Sequence, residues 1–124
     1  MLLPEVRSGG YSWDKGMRLR RPQDFRNVWN RGHSWVHPLF VLWTAPNDLP
    51  RSRVGITASR KVGIAVQRNR ARRLLREAAR RLYPNLMPGW DLVLVARSTL
   101  PEAREAQVEV ALVAMLRRSG LWQD

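Results

Sequence analysis

Cysteine is absent from the 124 residues, so disulfide staples, thiolate metal sites and a cysteine nucleophile are all excluded. A chain that needs no oxidising compartment is expected in the cytoplasm. Acid is scarce: 10 Asp+Glu stand against 22 Lys+Arg. Asp24, Asp48, Glu77 and Asp91 are scattered and form no compact motif of the kind a hydrolytic metal centre needs. The two histidines, His33 and His37, could share a strand face but have no third ligand nearby, so they read as surface or satisfied polar groups. No apolar run approaches the roughly 20 residues that cross a bilayer, and MLLPEVRSGGYSWDKG lacks the sustained apolar stretch of a secretory signal. The chain is expected to be soluble, with no membrane partner. Lysine is nearly missing too, at two residues against twenty arginines.

What remains is strongly cationic. The formal net charge is +12, a self-repulsion that a polyanionic partner relieves. A guanidinium pairs with phosphate through two hydrogen bonds and stacks on bases, so the preference for Arg points to nucleic acid. The 44% hydrophobic content suits one compact domain with a real core. Composition divides the chain into a loose N-terminal extension over residues 1–16, marked by Gly9 and Gly10, a domain over 17–120, and a tail over 121–124.

Within the domain, Pro22 can open a helix in which Phe25, Val28 and Trp29 fall at i, i+3 and i+4, with Gly32 at its end. HSWVHPLFVLWTAPN is rich in β-branched and aromatic residues; Pro38 separates a brief strand from a longer one at Leu39 to Ala45. After a turn at Asn47 to Pro50, a strand is expected from Arg53 to Ser59, with Val54, Ile56 and Ala58 on one face and Gly55, Thr57 and Ser59 on the other. Between Val66 and Leu82, Ala71, Leu74, Leu75, Ala78 and Leu82 repeat at three- and four-residue intervals and predict an amphipathic helix. Asp91 to Ala96 reads as a buried strand. Pro101 is expected to open a last helix that buries Val108, Ala111, Leu112, Met115 and Leu116. The fold class is α+β: a mixed sheet of about four strands with three helices, in the order αβββαβα.

Eleven basic residues and one acid lie between Arg51 and Arg81. At about 100° per residue, Asn69, Arg72, Arg73, Arg76 and Arg80 fall opposite the apolar stripe of the long helix. A solvated helix face ordinarily mixes Glu with Lys; a row of like charges costs stability unless an anion faces it. Ahead of the helix, Gly63 sits in a basic loop where Arg60, Lys61, Arg68 and Arg70 could converge on an anion, although the glycine by itself is better read as permitting a turn. Phe25, Trp29 and Trp43 leave two uses open, since aromatics at helical spacing more often fill a core than form a platform.

The segment RKVGIAVQRNRARRLLREAAR resembles the signature of the bacterial ribonuclease P protein family, Lys-x-Gly-x-Ala-Val-x-Arg-Asn-Arg-x-Lys/Arg-Arg-x-x-Arg-Glu. The likeness runs from about Met17 to Gly120, through Phe25 and Trp29, FVLW, RVGITAS and DLVLVAR. It implies a subunit that is not itself the catalyst. The partner RNA carries the catalysis and uses Mg2+, no cofactor is bound by the protein alone, no protein partner is required, and precursor tRNA is the substrate. It further implies that Arg60, Lys61, Arg68, Asn69, Arg70, Arg72, Arg73 and Arg76 bind the catalytic RNA. A cleft formed by Phe25, Trp29, Val41 and Trp43 would hold the single-stranded 5′ leader, and the crossover around the basic helix would be left-handed. Val41 and Trp43 share one face of their strand while Phe40 and Leu42 take the other, which suits a sheet that packs on one side and binds on the other. Ile64 departs from the Asn common at its position, which removes any polar contact that Asn makes.

Three other functions compete. A ribosomal or RNA-chaperone protein would use the same basic helix without a substrate cleft. A self-sufficient nuclease lacks its carboxylates here. A sequence-specific DNA binder lacks a helix-turn-helix pair or zinc finger.

Overall fold

The computed structural model describes residues 15–124. Its helices are α1 (Pro22–Arg31), α2 (Ala65–Leu82) and α3 (Glu105–Arg118), and its strands are β1 (His33–Val36), β2 (Phe40–Pro46), β3 (Arg53–Thr57) and β4 (Trp90–Ala96). The strands form one sheet in the order β1-β2-β4-β3, antiparallel except for the β3–β4 pair, which α2 joins as a parallel crossover. The expected α+β class and element order are therefore observed. The expected extension, residues 1–16, lies outside the described residues apart from its last two.

Period-two alternation gives the sheet two different faces. On one, Phe40 and Leu42 of β2, Val54 of β3, and Leu92 and Leu94 of β4 meet the apolar stripes of α2 and α3 in the main core. Ala71, Leu74, Leu75, Ala78 and Leu82 are all buried there, as are Val108, Ala111, Leu112, Met115 and Leu116. On the other face α1 packs a smaller cluster of Leu19, Val28, Ala45 and Val93, with Phe25, Trp43 and Val95 half-buried around it. Phe25 can lie against β3 because residue 55 is glycine: a Cβ there would stand 2.7 Å from the Phe25 ring.

Two boundaries differ from expectation by more than one residue, each through a tertiary contact. β3 ends at Thr57, two residues early, because the Ala58 carbonyl accepts from Arg72 Nη2 (3.2 Å) and Ser59 Oγ accepts from the Lys61 amide, turning the chain into a 3-10 turn at Arg60–Val62. Pro101 does not open the last helix. It sits in a 3-10 turn, Leu100–Glu102, after which Ala103 and Arg104 are extended and α3 begins at Glu105. Arg70 occupies the carbonyls of Pro101 and Ala103, which a continuous helix would use for its own ladder, and Gln107 Oε1 accepts from the Arg104 amide instead. α3 also buries more than its expected stripe. Val113 is enclosed, and so is Glu109, whose charge is met by Arg81 at 2.8 Å. The last residues are tied down as well: Leu121 is in the main core, and the Gln123 amide donates to the Asn85 carbonyl.

Candidate RNA-binding surfaces

The first surface is the outer face of α2. Val66, Asn69, Arg70, Arg72, Arg73 and Arg76 line one open hollow of about 570 Å³. The helix begins where Gly63 adopts φ +144°, a conformation that side chains rarely take, and where a Cβ would collide with the Gln67 amide. Gln67 Oε1 accepts from the Ile64 amide (2.9 Å), while Ile64 itself caps nothing and stands exposed beside Val66.

The basic residues of this surface differ in what else they hold. Arg70 Nε donates to the Pro101 carbonyl (2.5 Å) and Nη2 to that of Ala103 (3.3 Å). Arg72 Nη2 reaches Ala58 O, and its Nη1 donates to Asn69 Oδ1 (3.1 Å). Arg80 is paired with Glu77 (2.9 Å). The side chains of Arg60, Lys61, Arg68, Arg73 and Arg76 meet no acid or carbonyl among the described residues. Arg60 and Lys61 lie in the 3-10 turn ahead of the helix, outside the hollow.

The second surface lies across the sheet, beside α1. The Trp29 and Trp43 rings meet edge-to-face at 5.2 Å between centroids, and Phe25 lies 6.5 Å from Trp29. Trp29 is 37% exposed, although helix periodicity would put it toward a core. The reason is the register. α1 covers the cross-strand row Trp43–Val93–Gly55, and the next row, Val36–Val41–Val95–Thr57, is left partly open beyond it, with Val36 exposed and the other three half-buried. Directly paired residues point to the same side of a sheet, so these four side chains form one floor. Of this row, sequence reasoning singled out Val41 alone; the structure sets Val36, Val95 and Thr57 beside it. The alternation within β3 and β4 carried that signal, but only the register joins it to β2.

α1 is held over the sheet by an ion network. Arg53 of β3 donates twice to Asp91 of β4 (2.9 and 2.7 Å) and lies 3.6 Å from Asp24 of α1, while Asn47 Nδ2 donates to the same Asp91 carboxylate. Hydrogen bonding to Asp91 raises the Arg53 pKa still further, so its guanidinium stays charged. His37 lies just past β1 with Nδ1 accepting from the Leu39 amide, its ring stacked on Phe40. Burial, then the charge of Arg97, lowers its pKa below the usual histidine value. Among the described residues no three His, Asp or Glu side chains gather where a metal ion could be held, and no helix is long and apolar enough to cross a membrane.

Comparison with known proteins agrees with this arrangement. The family model for ribonuclease P matches residues 14–120. The ribonuclease P protein component of Herpetosiphon aurantiacus is 41% identical over 110 residues, covering 89% of each chain. That of Chloroflexus aurantiacus is 43% identical over 110 residues, covering 86% of this chain and 80% of its own. Among solved structures, the Staphylococcus aureus RNase P protein superposes with a TM-score of 0.77 at 27% identity, over 88% of this chain and all of that one. The Thermotoga maritima protein gives 0.74 at 32% identity, over 82% and 96%. A match across nearly all the described fold, by family model, sequence and structure alike, means that the chain belongs to the bacterial ribonuclease P protein family.

Proposed function

We propose that this chain, a protein component of the endoribonuclease ribonuclease P in tRNA 5′ maturation, serves its holoenzyme by binding on two sides. The outer face of α2, with Lys61, Arg68, Asn69, Arg73 and Arg76 foremost, takes the phosphates of the ribonuclease P RNA. The floor beside α1, with Phe25, Trp29, Val41 and Trp43, takes the single-stranded leader of precursor tRNA. Catalysis and its Mg2+ belong to the RNA subunit, and the protein supplies affinity.

The observation that carries this reading is exposed Trp29 in edge contact with half-buried Trp43, beside the Val36–Val41–Val95–Thr57 row on the sheet face opposite the main core. A ribosomal or chaperone protein needs the cationic helix but has no use for exposed Trp29 beside Trp43. Unpaired bases stack on such rings with little sequence preference, at about 1–3 kcal/mol per base, which suits a subunit that accepts many leaders.

The test is cleavage of a 5′-labelled precursor tRNA at low magnesium by the protein alone, by a bacterial ribonuclease P RNA alone, and by both. Cleavage mainly in the mixture is expected. Cleavage by the protein alone would refute the noncatalytic role, and a mixture no faster than RNA alone would return the chain to the chaperone alternative.

A further inference from the structure

The signature motif presents its arginines as one set, but their contacts separate them. Arg70 reaches backward from α2 to two carbonyls of the β4–α3 connection, Pro101 and Ala103. Arg72 reaches the other way, to the Ala58 carbonyl where β3 ends, and is braced by Asn69. Arg73 and Arg76, on the same hollow, are exposed and hold nothing among the described residues. Backbone carbonyls are fixed acceptors, and a guanidinium that binds one has its direction set before any RNA arrives.

We infer that Arg70 and Arg72 are positioning residues, clamps that fix α2 between the end of β3 and the start of α3, while neutralisation of RNA phosphates falls to Arg73 and Arg76. The inference rests on the reading that this face of α2 binds RNA. Its mechanical consequence lies in the segment Ser59–Ile64, which carries Arg60 and Lys61. That segment is held by the Ser59 cap on Lys61 and by the Val62 and Gly63 amides donating to Ser59 and Arg60 (3.0 and 3.2 Å). Arg72 anchors the residue just before it. Without the clamp the turn is free to move relative to the helix, and its two cations lose their register with the arginines behind them.

A clamp and a phosphate contact differ in two measurable ways. Replacing a phosphate contact with an uncharged residue lowers the slope of log K against log salt by roughly 0.7–0.9, the counterion share of one phosphate. Lysine substitutes for such a contact but cannot span two acceptors from one planar head. Binding to ribonuclease P RNA is therefore measured across a salt series for Lys and Gln variants at positions 70, 72, 73 and 76. Arg70→Lys and Arg72→Lys are expected to bind roughly tenfold more weakly, the equivalent of one charge-assisted hydrogen bond, on lines parallel to the parent protein. Arg73→Lys and Arg76→Lys are expected to bind nearly as the parent does, and their Gln counterparts to flatten the slope. Amide exchange provides a second readout without RNA: Val62 and Gly63 exchange faster in Arg72→Lys and not in Arg73→Lys.

Parent-like affinity in Arg70→Lys and Arg72→Lys with unchanged exchange, or a slope loss in Arg72→Gln equal to that in Arg73→Gln, would overturn the division. Unchanged slopes in both Arg73→Gln and Arg76→Gln would sink the α2 surface itself, and the clamp proposal with it.

Discussion

Replacing Trp43 by alanine tests the leader surface most directly. The ring stands half-buried on β2, meets Trp29 edge-to-face at 5.2 Å, and borders the partly open Val41–Val95–Thr57 row. Two losses follow. In the free protein the Trp29–Trp43 pair goes, at about 0.5–1.5 kcal/mol, together with part of the apolar contact under α1. In the complex one stacked base goes, at about 1–3 kcal/mol, or roughly 5- to 150-fold in affinity. Trp29 remains to take over part of the stacking, so the lower part of that range is expected, about 5- to 30-fold. The assay compares binding of the reconstituted holoenzyme to a precursor tRNA and to its mature form at one ionic strength. Only the precursor has a leader, so the loss should appear for the precursor alone. Trp43→Phe, which keeps a ring, should recover most of it. A urea titration of each variant confirms that the protein remains folded under the binding conditions. Equal losses for precursor and mature tRNA, or none for either, would refute the reasoning and make Trp43 a core residue.

Three further outcomes can be checked. Gly55→Ala pushes a methyl group against the Phe25 ring and should destabilise the fold by about 1–3 kcal/mol in urea, while weakening precursor binding more than mature. Asp91→Asn leaves Arg53 without its two-pronged acceptor inside the α1–sheet network and should cost about 2–4 kcal/mol by the same titration; a cost below half a kcal/mol would mean that the network is replaceable. His37 should make stability depend on pH. Its folded pKa lies below its usual 6.5, so the unfolded chain binds the proton more readily and stability falls as pH drops through about 6.5 toward the lowered value. Melting at pH 7.5 and 5.5 should show that loss in the parent and a smaller one in His37→Asn, which cannot be protonated.

The elements were legible because periodicity is local. The α2 stripe, the β2 alternation and the Gly32 stop can each be read from a dozen neighbouring residues. The failures share another cause. The start of α3 moved from Pro101 to Glu105 because a side chain on α2 takes carbonyls there, and a carbonyl has no sequence identity to read. Glu109 is tolerated inside α3 only because Arg81 of α2 meets it. The motif names the arginines of α2 without saying which are engaged. Likewise Val36, Val95 and Thr57 join Val41 through strand register, which no single segment contains.

The sheet order has a consequence for how the chain comes to be folded. β4 is the last strand to be synthesised, yet it occupies a central place, between β2 and β3. Until residue 96 is available, β2 and β3 each present an unpaired edge of main-chain donors and acceptors, and the β1–β2 hairpin has no second neighbour. These pairings span long stretches of sequence, so sheet closure is slow relative to hairpin formation, and the waiting chain is exposed to edge-to-edge association. Its net charge of +12 opposes that association, because like-charged chains repel at the distances where edges would otherwise join. The arginines that await a polyanion in the finished protein thus also keep the unfinished chains apart.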